Sequence, residues 1–232
     1  MDSDNRAVAA EAIIDAARWR QYFDDAFARI AGCFGRREPR LAARDYLLAV
    51  LSDVDSRNCW QLAEQAGHLA PYRMQNLLAR ASWDADALRD QLRRYVVNEL
   101  GDPGATLIGD DTGDLKSGCH TVATQRQYTG TAGRIENCQI ATYLGYASPK
   151  GRALIDRELY LPKSWTEDRS RRQAAGVPDD VAFATKITHL QRMIQRALAA
   201  GVPFASVTAD EFYAHGGATV EADMPRKKAV NE

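Results

Sequence analysis

The sequence predicts an α/β fold in which an all-helical N-terminal domain is followed by a mixed sheet. Apolar residues recur at helical spacing through the first hundred residues, whereas strand-like segments separated by turn signals dominate afterwards. Gly101 and Pro103 fall where the pattern changes and mark the expected boundary. We therefore predict a helical domain at 1–101, a second domain at 102–213 and a divergent tail at 214–232.

The composition predicts a soluble, globular chain. Of 232 residues, 45% are hydrophobic and 26% are charged, which excludes an intrinsically disordered protein. No apolar run approaches the length of a membrane span, and the polar start is no signal peptide, so no membrane partner is expected. Cys33, Cys59, Cys119 and Cys138 are scattered without zinc-site spacing, which favours reduced thiols in a cytoplasmic protein.

The helical region is predicted from apolar spacing and from helix-start and helix-stop residues. We expect helices over 11–34 and 39–52, a helix–turn–helix pair within 58–81, and a last helix that Ser82 caps and that ends at Leu100. The pair within 58–81 is weak support for DNA binding, because many helical pairs share its pattern without touching DNA.

The second domain is predicted to contain four strands and one amphipathic helix. The segment 105–111 predicts a first strand, and 137–147 and 152–161 flank an SPKG turn as a hairpin. A helix over 185–200 then leads to a last strand over 204–210. Because a crossover helix precedes it, the last strand can lie parallel to the first in one sheet.

Carboxylates stand at the ends of the first and last predicted strands. Asp110 and Asp111 end the first strand, and Asp210 ends the last one. If these strands are neighbours, Asp110 and Asp210 emerge side by side at the edge where such sheets bind ligands. A bound cation would explain the adjacent acids, and so would the capping of turns by structural carboxylates. The spacing alone leaves both interpretations open.

Four long motifs carry a family resemblance: DDTGDLKSG, QRQYTGTAGRIENCQIATYLGYAS, ALIDRELYLPKSWTEDRSRRQAAGVPDDVAFATK and VPFASVTADEFY. Together they resemble bacterial insertion-sequence transposases of the DDE superfamily over about residues 36–213. The resemblance implies an N-terminal DNA-binding region and a ribonuclease H-like catalytic core. It also implies cleavage and transfer of DNA strands by two divalent ions, which two Asp and one Glu hold.

The resemblance assigns two of these three ligands. Asp110 opens the first motif and would be the first catalytic metal ligand, and Asp210 in VTADEFY would be the second. Relatives carry either acid at the position of Asp111, which ranks it as a neighbour of the site. The expected cofactor is a pair of Mg²⁺ or Mn²⁺ ions, since hard cations prefer oxygen ligands.

The third acid has no match in the sequence. The resemblance ends after Tyr213, whereas in relatives the third acid lies in a helix further along the chain. Glu211 follows Asp210 directly, and Glu221 and Glu232 lie in an unpatterned tail. The expectation is therefore a C-terminally truncated transposase with an incomplete sheet, inactive on its own.

Two segments are candidate DNA contacts. Arginine outnumbers lysine 24 to 6, which suits phosphate binding, although a biased base composition of the coding DNA gives the same ratio. Each segment has an ordinary alternative, a solvated helix face for the first and a Gly-containing loop for the second. The candidates are Arg36, Arg37, Arg40 and Arg44 in the first segment and Arg126, Tyr128 and Arg134 in the second.

The resemblance thus implies a DDE transposase whose partners are double-stranded DNA, at element ends and at the target, and a second copy in a homodimer. The expected location is the bacterial cytoplasm, in association with the nucleoid. One alternative is a transposase-derived, non-catalytic protein that binds DNA or regulates the parent element. The other is a remnant without function.

Overall fold

The computed structural model describes the backbone of residues 2–210 and the side chains of residues 15–210. The predicted tail at 214–232 lies outside this range. The chain divides into two compact units between Tyr95 and Val96. This division falls inside the last N-terminal helix and not at Gly101, because Val96 is buried in the hydrophobic cluster of the second unit.

The first unit is helical, as predicted. The helices are α1 (Asp2–Ile30), α2 (Arg37–Val50), α3 (Cys59–Gln65), α4 (Tyr72–Ala79) and α5 (Ala85–Leu100). The cap of α5 differs from the prediction, since Asp84 and not Ser82 accepts hydrogen bonds from the N–H groups of Asp86 and Ala87. None of the described helices is long and apolar enough to cross a membrane.

A core of aromatic and small residues holds the first unit together. Phe23 and Phe27 of α1 are stacked one turn apart, which places both rings on one face of the helix. That face packs in one cluster with Ala42 and Ala43 of α2 and with Leu77 of α4. The alanines leave room for the large rings.

The second unit is built on a mixed sheet of five strands. The strands are β1 (Thr106–Leu115), β2 (Gln125–Thr129), β3 (Arg134–Ser148), β4 (Gly151–Leu159) and β5 (Ser206–Ala209). Strand β1 pairs antiparallel with β3 on one side and parallel with β5 on the other. Strands β2 and β4 both pair antiparallel with β3, at opposite ends of its remaining edge. Helices α6 (Lys163–Thr166), α7 (Arg169–Ala174) and α8 (Lys186–Ala199) lie between β4 and β5 in the chain.

This topology confirms the predicted hairpin, the crossover helix and the parallel pairing of the first and last strands. The sheet is consistent with a ribonuclease H-like fold. Three details differ from the sequence prediction, the first being the short helices α6 and α7, which were not predicted. Strand β1 continues to Leu115 because β3 is long enough to pair with it there, and the segment after residue 124 forms the additional strand β2.

Helix α8 covers one face of the sheet. Its buried residues Leu190, Met193, Ile194 and Ala197 follow helical spacing and pack in one cluster with Leu107, Leu144, Tyr146 and Ile155. The opposite face carries Ile108, Asp110, Tyr143 and Leu154, and we call it the open face. Ile108 and Leu154 remain 39% and 55% exposed there.

Candidate functional site

Strands β1 and β5 bring Asp110 and Asp210 to neighbouring positions. Their parallel register pairs Gly109 with Ala209, so the two aspartates occupy the next step of the register. The hydroxyl oxygens of Thr106 and Ser206, four positions earlier on each strand, lie 2.8 Å apart. Because side chains alternate between faces, Asp110 lies on the same face as this hydroxyl pair, and Asp210 directly follows the last residue of β5.

The surroundings of Asp110 are open and largely apolar. Its carboxylate lies in a cavity of about 420 Å³ with Ile108, Tyr143 and Leu154 on the open face. Oδ1 accepts a hydrogen bond of 2.7 Å from the backbone N–H of Asp111. Asp110 lies inside β1 and not at its end, but it comes directly after the last residue that pairs with β5.

Asp111 points to the other face of the sheet. Its Oδ2 lies 3.0 Å from Nζ of Lys186, and these side chains are only 21% and 18% exposed. Lys186 begins α8 and also lies over the ring of Tyr160, with Nζ 5.8 Å from the centroid. The carboxylates of Asp110 and Asp111 therefore lie on opposite faces of the sheet. Asp110 faces the cavity, and Asp111 faces Lys186.

The donor set of the open face fits a hard divalent cation. Asp110 and Asp210 are both exposed carboxylates at adjacent register positions, and oxygen ligands suit Mg²⁺ and Mn²⁺. Among the side chains of residues 15–210, no group of three or more His, Cys, Asp or Glu is arranged to hold a metal. Glu211, Glu221 and Glu232 lie outside the described residues.

The first arginine segment surrounds the start of α2. Arg36, Arg37 and Arg40 are exposed there, and Arg40 donates one hydrogen bond to a backbone carbonyl. Arg44 is half-buried instead, with Nη2 2.7 Å from Oδ1 of Asp24. The side chains of Arg36, Arg37 and Arg40 are therefore exposed to solvent, whereas Arg44 forms an ion pair within the helical unit.

In the second segment, Arg126 and Tyr128 are exposed residues of β2. The register pairs Arg126 with Asn137 of β3, and Asp110 with Tyr143 of the same strand. Asn137 and Tyr143 are an even number of residues apart on β3 and share a face. Arg126 and Tyr128 therefore belong to the same face of the sheet as Asp110.

The turn of this segment has a structural role of its own. Gly133 adopts a φ of +65°, a conformation that favours glycine. Thr129 is buried, and a Cβ on Gly113 of β1 would collide with its side chain. Arg134 is exposed, with Nε 2.7 Å from Oε1 of Glu136. The positive φ therefore accounts for Gly133, and the close approach of Thr129 accounts for Gly113 of β1.

A buried polar network on α8 was not predicted from the sequence. Nε of Arg196 lies 2.8 Å from Oδ2 of Asp156, whose side chain is 1% exposed, and Nη2 lies 2.7 Å from Oε1 of Glu158. His189 is buried two turns earlier on the same helix. Burial lowers the pKa of His189 below 6.5, and Glu158 opposes this shift. The sequence pattern that could have predicted this network is the i,i+7 spacing of His189 and Arg196.

The mixed sheet with its helices is consistent with a ribonuclease H-like core. A family model described as DDE superfamily endonuclease matches residues 29–222, and the chain belongs to this family. A curated relative is the probable transposase for insertion sequence element IS701 of Microchaete diplosiphon, 27% identical over 172 residues. The match covers 72% of this chain and 41% of that relative. No solved structure matches the chain.

Proposed function

We propose that this chain is a transposase of the DDE type, which cleaves and transfers strands of double-stranded DNA. The observation that carries the proposal is the parallel register of β1 and β5, whose last pair, Gly109 and Ala209, directly precedes Asp110 and Asp210. Membership of the DDE superfamily supplies the chemistry that such a pair serves.

In this proposal, Asp110 and Asp210 hold the divalent ions through their carboxylate oxygens. When bound, Mg²⁺ or Mn²⁺ activates a water or 3′-hydroxyl nucleophile and stabilises the leaving oxygen. Asp111 stays with Lys186 on the opposite face and keeps β1 in place against α8. The third carboxylate of the two-metal mechanism has no assigned residue among those described.

The exposed arginines supply the DNA contacts of the proposal. Arg36 and Arg37 lie at the start of α2, and Arg126 lies on the open face with Asp110. Guanidinium groups that contact phosphates give affinity with little base preference and a steep dependence on salt. Arg44 and Arg134 are weaker candidates because each already contacts a carboxylate.

A second candidate function is a non-catalytic protein that binds DNA and regulates the parent element. It is favoured by the exposed Arg36, Arg37 and Arg40 at the start of α2, which could contact DNA without any metal site. The inactivity of the 232-residue chain alone, its homodimerisation and its association with the nucleoid stay predictions. Because neither candidate is expected to cleave DNA as the isolated chain, binding of Mn²⁺ separates them, since only a transposase core requires ions at Asp110 and Asp210.

Metal binding tests the proposed site directly. Calorimetric titration of the chain with Mn²⁺ should show binding that Asp110→Asn and Asp210→Asn each weaken by at least about 10-fold, because each removes one anionic ligand. Asp114→Asn is the matched control, since Asp114 is an exposed acid of the same strand whose side chain is 71% exposed. If all three variants weakened Mn²⁺ binding equally, the loss would come from the change in net charge, which would contradict the proposed site.

A further inference from the structure

Helix α4 presents an exposed polar stripe that the catalytic proposal does not use. The helix buries Met74 and Leu77 and leaves its other side to solvent. The exposed residues follow i, i+3, i+4 and i+7 spacing, which places them on one side of the helix. We call them the α4 stripe; they are Tyr72, Gln75, Asn76 and Ala79.

The chemistry of the α4 stripe suits the edge of a base pair. A carboxamide offers a donor and an acceptor together, and Asn and Gln match the N6 and N7 atoms of adenine in the major groove. A methyl group such as that of Ala79 can contact the methyl of thymine. The helix carries no acid, and exposed Arg73 and Arg80 flank the stripe.

The packing around α4 holds the stripe rigidly. Helices α2, α3 and α4 contact one another pairwise, and Leu62 of α3 and Met74 of α4 are fully buried. The connection between α3 and α4 is tied to α2, because Nε2 of His68 lies 3.0 Å from Oδ2 of Asp45. Helix α4 is thus the second helix of a packed pair whose connection, 66–71, is longer than the three- to four-residue turn of a helix–turn–helix. In helix–turn–helix units the second helix enters the major groove.

Two exposed arginines lie around a cleft beside the α4 stripe. Asn76 and Arg80 line a cleft of about 710 Å³ together with Arg36 at the start of α2. Arg36 and Arg80 are exposed, and Arg36 gives no side-chain cap to the first turn of α2. The lining also includes Glu38 on the first turn of α2. Cations beside a polar stripe match the charge of a duplex whose groove the stripe enters.

We propose that α4 reads base pairs in the major groove of double-stranded DNA. Gln75 and Asn76 contact base edges, and Arg36 and Arg80 contact the phosphates that flank them. This inference rests on the proposed DNA-binding function and adds sequence specificity to it. The carboxamides predict a preferred site that contains A·T pairs.

The test is selection of duplexes from a random-sequence pool by the full 232-residue chain. We expect the wild type to enrich one motif. The variant Gln75→Ala/Asn76→Ala should lower affinity for the enriched duplex by at least about 30-fold and leave affinity for a scrambled duplex unchanged. The variant Arg36→Ala/Arg80→Ala should weaken binding to both duplexes alike and reduce the salt slope by about 2.

Two further variants keep the test decisive. Gln21→Ala/Asn98→Ala removes two exposed amides from other helices and should change neither affinity. Asn76→Arg should shift one position of the enriched motif toward guanine, a gain that an unfolded protein cannot show.

Each adverse outcome has its own meaning. An unchanged motif and affinity in Gln75→Ala/Asn76→Ala would overturn the role of α4 and leave the proposed DNA-binding function standing. Equal binding of all duplexes by the wild type would do the same. Absence of binding to any duplex would overturn the inference and the proposed DNA binding together.

Discussion

Gly109 is the residue at which the sheet and α8 approach most closely next to the candidate site. A Cβ at this position would lie 2.5 Å from Cδ1, 2.7 Å from Cδ2 and 3.2 Å from Cγ of Leu190. Leu190 is 6% exposed within the core cluster, so its side chain cannot move away without displacing its neighbours. Overpacking of a filled core costs about 1–3 kcal/mol. Gly109→Ala should therefore lower the free energy of unfolding of the second unit by about 1–2 kcal/mol, since the ends of a leucine give way more easily than backbone.

The double variant Gly109→Ala/Leu190→Ala identifies the cause. Leu190→Ala alone should cost about 2–5 kcal/mol, and the double variant should cost less than the sum because the smaller side chain makes room for the added methyl. Hydrogen exchange of β1 amides measures the stability of this unit. Gly118→Ala is the control, because nothing lies within 4 Å of a Cβ there. Additive costs for Gly109→Ala and Leu190→Ala would refute the reasoning.

Three further predictions concern charged and titratable groups. Asp111→Asn should lower the free energy of unfolding of the second unit, measured with urea, by about 1–2 kcal/mol. This is less than the cost of breaking a fully buried ion pair, because Asp111 and Lys186 both retain some exposure to solvent. Burial lowers the folded-state pKa of His189, so the free energy of unfolding should be at its full value above pH 6.5 and should decline as the pH falls below 6.5. Urea unfolding at several pH values should show a smaller decline in His189→Gln. Arg126→Glu should weaken binding to all duplexes alike in fluorescence anisotropy, with a smaller salt slope.

Each of these has an outcome that contradicts it. Unchanged stability of Asp111→Asn would mean that the contact with Lys186 contributes nothing. A pH profile that is identical in wild type and His189→Gln would place the acid sensitivity in other groups. If Arg126→Glu left the DNA affinity unchanged, Arg126 would be a solvent-exposed residue that does not contact DNA.

Local patterns were sufficient to predict the elements whose signals are local. The SPKG turn between β3 and β4 and the apolar stripe of α8 lie within short segments, and both are present in the structure. The parallel pairing of β1 with β5 also followed, because a crossover helix leaves few alternatives for the chain.

Features that depend on distant partners were not predicted. Asp110 and Asp111 lie on opposite faces because side chains of a strand alternate, but the partner of Asp111, Lys186 on α8, is 75 residues away in sequence. Strand β2 forms because it can pair with the N-terminal end of β3. The segment QRQYT has no alternation of apolar and polar residues that would predict a strand. The α4 stripe was hidden for a related reason, since burial of Met74 and Leu77 against other helices shows which side of α4 remains exposed.

The central claim is that Asp110 and Asp210 form one metal site. Amide NMR spectra of the isotope-labelled chain during titration with Mn²⁺ test it most directly, because the ion broadens signals from nearby residues only. We predict that the amides of 109–111 and of 208–210 broaden together at the same Mn²⁺ concentration, and that Asp110→Asn removes both effects. Broadening of one segment without the other, or broadening that persists in Asp110→Asn, would contradict the claim.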